Sequence, residues 1–245
     1  MNNHDPFPQP HLPPTTQGAR CTKGASQARR RPIRTSAAAL LILAHLCGIA
    51  LGQEAKPLYQ NDFEKAEVGK TPADFLVLDG EFAVQQEGAN KFLELPGAPL
   101  ESFGVLFGPT QKDGSSVSAR AYGTAKRRRD PVFALGLNGV GGYRLQVSPA
   151  KKQIELCRAE VVKTNAPYQW ASGTWTRLRL QIQKTGATWK VEGKVWPDGN
   201  PEPAEWMIHF EEKEEIPPGR AGFFCSPFSG TPIRLDDIVV GRTSD

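Results

Sequence analysis

From Leu58 onward the apolar side chains recur with a period of two. In Trp175-Thr176-Arg177-Leu178-Arg179-Leu180-Gln181-Ile182-Gln183-Lys184, Leu178, Leu180 and Ile182 fall on one face, while Arg177, Arg179, Gln181 and Gln183 fall on the other. That alternation describes a strand with one side in a core and one in water. Gly186 turns the chain, and Thr188 to Trp196 repeats the pattern through Trp189, Val191, Gly193 and Val195, which predicts a hairpin. Similar runs occur at 115–122, 132–137, 143–147, 153–157, 221–224 and 233–240. Asn138-Gly139 and Pro197-Asp198-Gly199-Asn200 are turn sequences, the first because both positions tolerate positive φ. Prolines from Pro96 to Pro232 leave few windows for a helix. Even Ala204 to Glu215 alternates through Trp206, Ile208 and Phe210, and reads as strand. The first strand, near Tyr59 to Phe63, and the last, near Ile233 to Val240, are expected to lie side by side. Many short strands between turns imply an all-β sandwich or barrel.

The first 52 residues follow other rules. Met1 to Thr35 is rich in Pro, Gln, Thr and Arg and too poor in apolar groups to offset the entropy of folding. Behind Arg29, Arg30, Arg31 and Arg34 runs an apolar stretch, Ser36 to Leu51, ending in Ala50-Leu51-Gly52 before Gln53. A basic segment, a short apolar core and small residues at the exit form the layout of a secretory signal. The stretch is interrupted by His45 and falls short of the roughly 20 residues that a spanning helix needs. The expected organisation is therefore 1–52, a basic segment plus signal peptide cleaved near Gly52-Gln53, and 53–245, one exported domain in the periplasm, the cell envelope or outside the cell, with no transmembrane span after cleavage.

Removing the leader changes the charge. Of 30 Lys and Arg, six lie in 1–52, and of 26 Asp and Glu, one; the remainder carries 24 against 25, a net of −1. A near-neutral domain gives no global electrostatic reason to bind nucleic acid. Cys157 and Cys225 remain after cleavage. Two alternatives stay open for them: a disulfide, which an exporting compartment permits, or two buried thiols on separate strands.

Three segments resemble the concanavalin A-like lectin/glucanase superfamily, in the laminin-G-like version of exported planctomycete-type bacterial proteins. They are Asn61-Asp62-Phe63-Glu64 with Val68-Gly69-Lys70-Thr71-Pro72; Gly173-Thr174-Trp175-Thr176-Arg177-Leu178 with Val195-Trp196-Pro197-Asp198-Gly199 and Pro203-Ala204-Glu205-Trp206; and Gly219-Arg220-Ala221-Gly222-Phe223 with Leu235-Asp236-Asp237-Ile238-Val239-Val240. The resemblance spans nearly all of 58–242. It implies a two-sheet antiparallel jelly roll, often attached to glycans or acting on them. An activity does not follow from the fold.

Glycosidases of that superfamily place carboxylates in an E-x-D-x-x-E pattern, and no such pattern occurs here. Glu211-Glu212-Lys213-Glu214-Glu215 reads as a solvated charge run. Tyr143-Arg144-Leu145-Gln146 resembles one strand of the keto-disaccharide hydrolases, whose other motifs are missing. His209 is the sole histidine after the leader, so no triad can be assembled around a G-x-S-x-G elbow that is itself absent.

Three sets of residues are candidates for binding. Asp62 and Glu64 on the first strand, with Asp236 and Asp237 on the last, would supply hard oxygen ligands for a structural calcium if those strands pair; the alternative is that they hydrogen-bond turns. Flat rings pack against sugar rings, which nominates Trp196, beside a turn and opposite in parity to Val195, together with Tyr168 and Trp170 after Pro167; core packing is the competing role for each. Lys126-Arg127-Arg128-Arg129, with Arg128 at its centre, would meet sulfate or carboxylate groups, or be a solvated loop tip. The expected function is a non-catalytic, extracytoplasmic module binding carbohydrate or a cell-surface polymer. A protein-binding adaptor domain and a glycan hydrolase are the alternatives.

Overall fold

The computed structural model describes residues 56–97 and 101–243; the expected leader, 1–52, lies outside them. Alternation becomes strand as the sequence predicts. In chain order the strands are β1 Tyr59–Asn61, β2 Leu76–Asp79, β3 Ala83–Glu87, β4 Asn90–Leu95, β5 Phe103–Gln111, β6 Ser115–Tyr122, β7 Val132–Leu137 and β8 Tyr143–Ser148. They continue with β9 Gln153–Arg158, β10 Val161–Pro167, β11 Thr176–Thr185, β12 Thr188–Pro197, β13 Ile208–Glu212, β14 Gly219–Ser226 and β15 Ile233–Arg242. Among the described residues the helical structure is one 3₁₀ turn, Pro149–Lys151.

The strands form two antiparallel sheets packed as a jelly-roll sandwich. The eight-stranded sheet runs β13-β12-β11-β6-β15-β4-β3, with β1 also joined to β15; the seven-stranded sheet runs β10-β9-β8-β7-β14-β5-β2. The expected hairpin is in register from Thr185↔Thr188 to Thr176↔Pro197, with Gly186 at φ +63°. The first and last strands pair, Tyr59 with Val240 and Asn61 with Ile238. Between the sheets lie the alternate residues: Val117, Ala119, Leu178, Leu180, Ile182, Val191 and Val195 from one sheet face Leu135, Tyr143, Leu145, Ile154, Leu156 and Phe223 from the other. Removing such area from water stabilises the fold by roughly 1.5–3 kcal/mol per large side chain. No Cβ fits at Gly193, where it would stand 2.7 Å from Leu145 Cδ1.

Two expectations are corrected, and one of two open alternatives is excluded. Asn138 and Gly139 do adopt positive φ, +63° and +71°, but the β7–β8 connection is longer than a two-residue turn and is docked: the Asn138 amide donates to the Pro217 carbonyl at 2.9 Å. The strand expected across 204–215 is confined to Ile208–Glu212. The disulfide is ruled out by geometry. Cys225 sits in the core, whereas Cys157 lies beside Arg144 on the outer face of the same sheet, three strands away. At about 4.8 Å per strand that separation far exceeds disulfide reach, and both thiols are free and buried.

A bulge in β15 positions much of the chemistry on the eight-stranded sheet. In a regular strand, adjacent Asp236 and Asp237 would point to opposite faces, driving one carboxylate into the core. The register shifts between Asp236 and Val239, and Asp237 takes φ +50°. The extra residue restores Ile238 to the core and leaves both carboxylates outside it. At the same place β15 exchanges β4 for β1 as its neighbour.

Candidate functional site

On the outer face of the eight-stranded sheet, the register sets Trp196, Arg177, Arg120 and Asp236 in one row across β12, β11, β6 and β15. Arg120 binds Asp236 at 2.7 Å, Asp198 at 3.1 Å and Asp237 at 3.3 Å; Arg177 binds Asp198 at 2.5 Å and Asp237 at 2.9 Å. Asn90 donates to Asp236 at 3.1 Å. Burial pushes the Asp236 carboxyl up in pKa, more than its hydrogen bonds from Arg120, the Asp237 N–H and Asn90 pull it down. Burial also raises Asp198, but there the hydrogen bonds from Arg177 and Arg120 win and hold it below the usual carboxylate range.

This arrangement does not fit the calcium expected at Asp62, Glu64, Asp236 and Asp237. Two guanidinium groups stand among the carboxylates and supply the positive charge. Asp62 accepts the Glu64 N–H at 3.2 Å, and Glu64 accepts the Lys91 N–H at 3.0 Å, which are turn and strand-end bonds. Asp62 shares a depression with Asp237, yet among the described residues no three His, Cys, Asp or Glu gather as a metal cage. We predict that the melting temperature in EDTA matches that in millimolar calcium to within about 1 °C, because a cation bound to the native state alone would raise it. A shift of several degrees would show that the arginines do not replace the metal.

The aromatic residues nominated by the sequence are mostly enclosed. Trp196 does point outward, as its parity requires, but is only 7% exposed. The β12–β13 loop folds back over this face: Lys194 donates to the Pro203 carbonyl at 2.8 Å, pairs with Glu202 at 2.7 Å and lies 4.6 Å from the Trp206 ring, while Arg179 reaches Glu202 at 2.9 Å. Trp170 packs edge-on against Phe133 in the core, and Tyr168 is half-buried against that core, its hydroxyl pushed up to about 12 by burial. Trp175 is capped by Arg120 at 4.6 Å, and Phe92 by Arg234 at 4.4 Å. These rings are therefore poor platforms for a sugar. Arg128 is exposed, at the tip of a tight turn in which Lys126 bridges Arg129.

The outer face of the seven-stranded sheet is open in a different way. Its floor is the Phe224 ring, lying on glycines. A Cβ at Gly136 would come within 2.8 Å of that ring, at Gly104 within 3.0 Å and at Gly222 within 3.1 Å. Three glycines on three adjacent strands thus let a flat ring lie against the sheet. Arg144 stacks above it, with Cζ 3.6 Å from the ring centre. Leu78, Val140, Ser102, Gln146, Glu160 and Ser226 complete a groove around this pair. Leu78 and Val140 are exposed aliphatic walls, 43% and 51% accessible. The Gln146 amide donates to Ser148 and Glu155, each at 2.9 Å, so its carbonyl oxygen is the end those bonds leave over.

Arg144 is the least satisfied charge in this groove. Its side chain is 13% exposed, its Nε has no hydrogen-bond partner, and its ion pair is with Glu160, itself 86% exposed, at 3.1 Å. By contrast Glu155, in the same sheet, is buried and receives Ser148, Gln146, Lys151 and Gln153. Burial raises its pKa and those donors more than reverse the effect. A carboxylate so fully donated to is an anchor for its neighbours rather than a proton donor. In the wider depression on the other sheet, Tyr59 donates to Asp74 at 2.7 Å and Arg177 pairs with Asp237 at 2.9 Å, so its arginine is already engaged. The seven-stranded face is the stronger candidate because it combines apolar walls with an under-used cation.

Sequence reasoning named Arg144 and Gln146 only through a family resemblance and missed Phe224. A signal existed: Gly104, Gly136 and Gly222 each interrupt a strand at an outward position, where an isolated glycine marks close approach.

No family model matches this chain, and no curated protein does. Solved structures do. A Bacillus subtilis protein of unknown function with a galectin-like fold superposes with a TM-score of 0.55 at 14% identity, covering 78% of this chain and 97% of that one. The metal-free carbohydrate recognition domain of Emp46p gives 0.53 at 11%, covering 78% and 100%. Lectin II from Ulex europaeus gives 0.50 at 10%, covering 77% and 100%. At such identities the likeness is one of fold, and the described chain is a two-sheet jelly-roll sandwich similar to those of lectins and carbohydrate recognition domains.

Proposed function

We propose that this protein is an exported, non-catalytic carbohydrate-binding domain whose ligand lies in the groove over Phe224 and Arg144. The groove itself carries this reading. Aliphatic walls suit the apolar faces of sugar rings, and Ser102, Gln146, Ser226 and Arg144 provide hydroxyl partners around a floor fixed by three glycines. The lectin-type fold supports it as an analogy. Export rests on the basic and apolar leader of the sequence.

A glycan array probed with the intact chain tests the proposal. Ser102→Trp fills the groove from an exposed wall position, and His209→Trp adds the same bulk on the exposed face of the other sheet. Binding lost in the first variant and kept in the second is the expected result. Equal binding by both would move the site elsewhere; no binding by folded wild type would leave no carbohydrate function to place. A protein-adaptor reading is favoured by one feature, the exposed Leu76, Val77 and Leu78 of β2, at the end of the seven-stranded sheet, since unpaired apolar edges invite strand addition.

A further inference from the structure

Four cations follow one another in Lys126-Arg127-Arg128-Arg129, and the turn that holds them is tight. The Lys126 N–H donates to the Arg129 carbonyl at 2.9 Å, the reverse bond measures 3.2 Å, and Arg127 adopts φ +60°. All four side chains are exposed, and none has an acidic partner within 4 Å among the described residues. Holding four like charges in a two-residue turn without a counter-charge is electrostatically unfavourable and leaves their field directed outward.

The position of the turn matters as much as its charge. With Ser229 its four residues line a shallow depression. The groove over Arg144 is lined by Val132, three residues after Arg129, and by Ser226, three residues before Ser229. Three residues of chain span at most roughly 10 Å, so both flanks of the groove lead into the basic depression. Within the groove the Arg144 guanidinium pairs through a terminal nitrogen with Glu160, which is mostly in water, while its Nε is buried without an acceptor. Glu160 is the exposed member of this pair, so it can swing into water when a ligand oxyanion takes its place. A guanidinium presents two parallel N–H donors, matched to carboxylate or sulfate oxygens. The acids along the path are Asp79, Asp130 and Glu160, fewer than the five cations.

Resting on the carbohydrate reading, we propose that the ligand is an anionic glycan chain, with one oxyanion-bearing sugar at Arg144 and following sugars running onto the Lys126–Arg129 turn. A neutral sugar would leave Arg144 with the exposed Glu160 as its counter-charge and the turn with none among the described residues. Carboxylate and sulfate share the chemistry, and the choice between them is experimental.

The test is titration calorimetry on the intact chain with oligogalacturonate, its carboxyl-reduced neutral counterpart, dextran sulfate and dextran, each at low and at near-physiological salt. Either anionic chain is expected to bind at least about tenfold more tightly than its neutral counterpart, with affinity falling as salt rises. Preference for oligogalacturonate identifies a carboxylate ligand, and preference for dextran sulfate a sulfate ligand; both support the proposal. Arg144→Gln is expected to lower affinity for the anionic chain about tenfold and to leave the neutral chain unchanged. Replacing all four residues of the turn by serine, at exposed positions that do not endanger the fold, is expected to flatten the salt dependence. Equal binding of neutral and anionic chains, insensitive to salt, would overturn this proposal while leaving the carbohydrate function standing. Loss through the turn alone, with Arg144→Gln silent, would overturn the groove assignment as mere cation exchange. No glycan binding of any kind would remove both readings together.

Discussion

Glu212→Ala lowers the unfolding free energy at pH 7 by about 3–5 kcal/mol, the range for removing one partner of a buried ionic pair. Glu212 is 5% exposed. One of its oxygens accepts the Tyr143 hydroxyl at 2.7 Å and Arg158 at 2.8 Å; the other accepts the N–H groups of Lys213 and Glu214 at 2.9 and 3.0 Å. Tyr143 is fully buried, so truncation leaves a hydroxyl and a guanidinium without their acceptor. The pH dependence follows from the same contacts. Burial raises the Glu212 pKa, but the N–H bond from Glu214 and the bonds from Tyr143 and Arg158 bring it down to about 2 from an ordinary 4.5. A group depressed in the folded state stabilises above its unfolded pKa and loses that contribution as pH falls towards its folded one. On the order of 3 kcal/mol is therefore present at pH 5 and above and disappears between about pH 4.5 and 2. Urea unfolding of wild type and Glu212→Gln across pH 2–7 reads this out: the variant is less stable at neutral pH and has a shallower acid limb. Superposable curves would mean that Glu212 is as solvated as its charge run suggests.

Arg120→Met has a comparable effect for a different reason. It removes the cation shared by Asp198, Asp236 and Asp237 and leaves Asp236, 1% exposed, with the Asn90 amide and the Asp237 N–H as its remaining donors. The expected loss is about 3–5 kcal/mol at pH 7. The Asp236 carboxyl is shifted in the opposite direction to Glu212, although both variants' deficits narrow at low pH. Burial already raises Asp236, and without Arg120 it rises further, so proton uptake favours the folded variant and its deficit against wild type narrows as pH falls through that folded pKa. Adding Asp236→Asn removes the stranded charge and should restore more than half of the loss at pH 7. A double-mutant cycle with no coupling would separate the two residues energetically, against their 2.7 Å contact.

The two sites show where sequence pattern is informative and where it is silent. Alternation located β6 and β7 to the residue, and β11 and β12 to within one residue at each end, because period-two burial is a local property of a strand facing one core. The strands β2, β3, β4, β5 and β10 escaped notice. All of β2 is exposed, so nothing in it alternates, and β4 buries adjacent Phe92 and Leu93, one under Arg234 and one in the core. Glu212 was hidden inside a charge run, since its burial depends on Tyr143 and Arg158, more than fifty residues away. Trp196 was assigned to the correct face, but its enclosure could not be read locally because a loop anchored by Glu202 and Asp198 closes over that face.

By itself, then, the sequence determined an all-β chain, the β11–β12 hairpin, the meeting of the first and last strands and an exposed basic turn. These follow from side-chain period and turn chemistry, which act over a few residues. Only the tertiary structure decided that Cys157 and Cys225 stay apart, that Arg120 and Arg177 stand among Asp198, Asp236 and Asp237, and that three glycines from three strands lay Phe224 flat beneath Arg144. Each of those depends on which strands become neighbours and in what register, a choice made by the burial of the whole core.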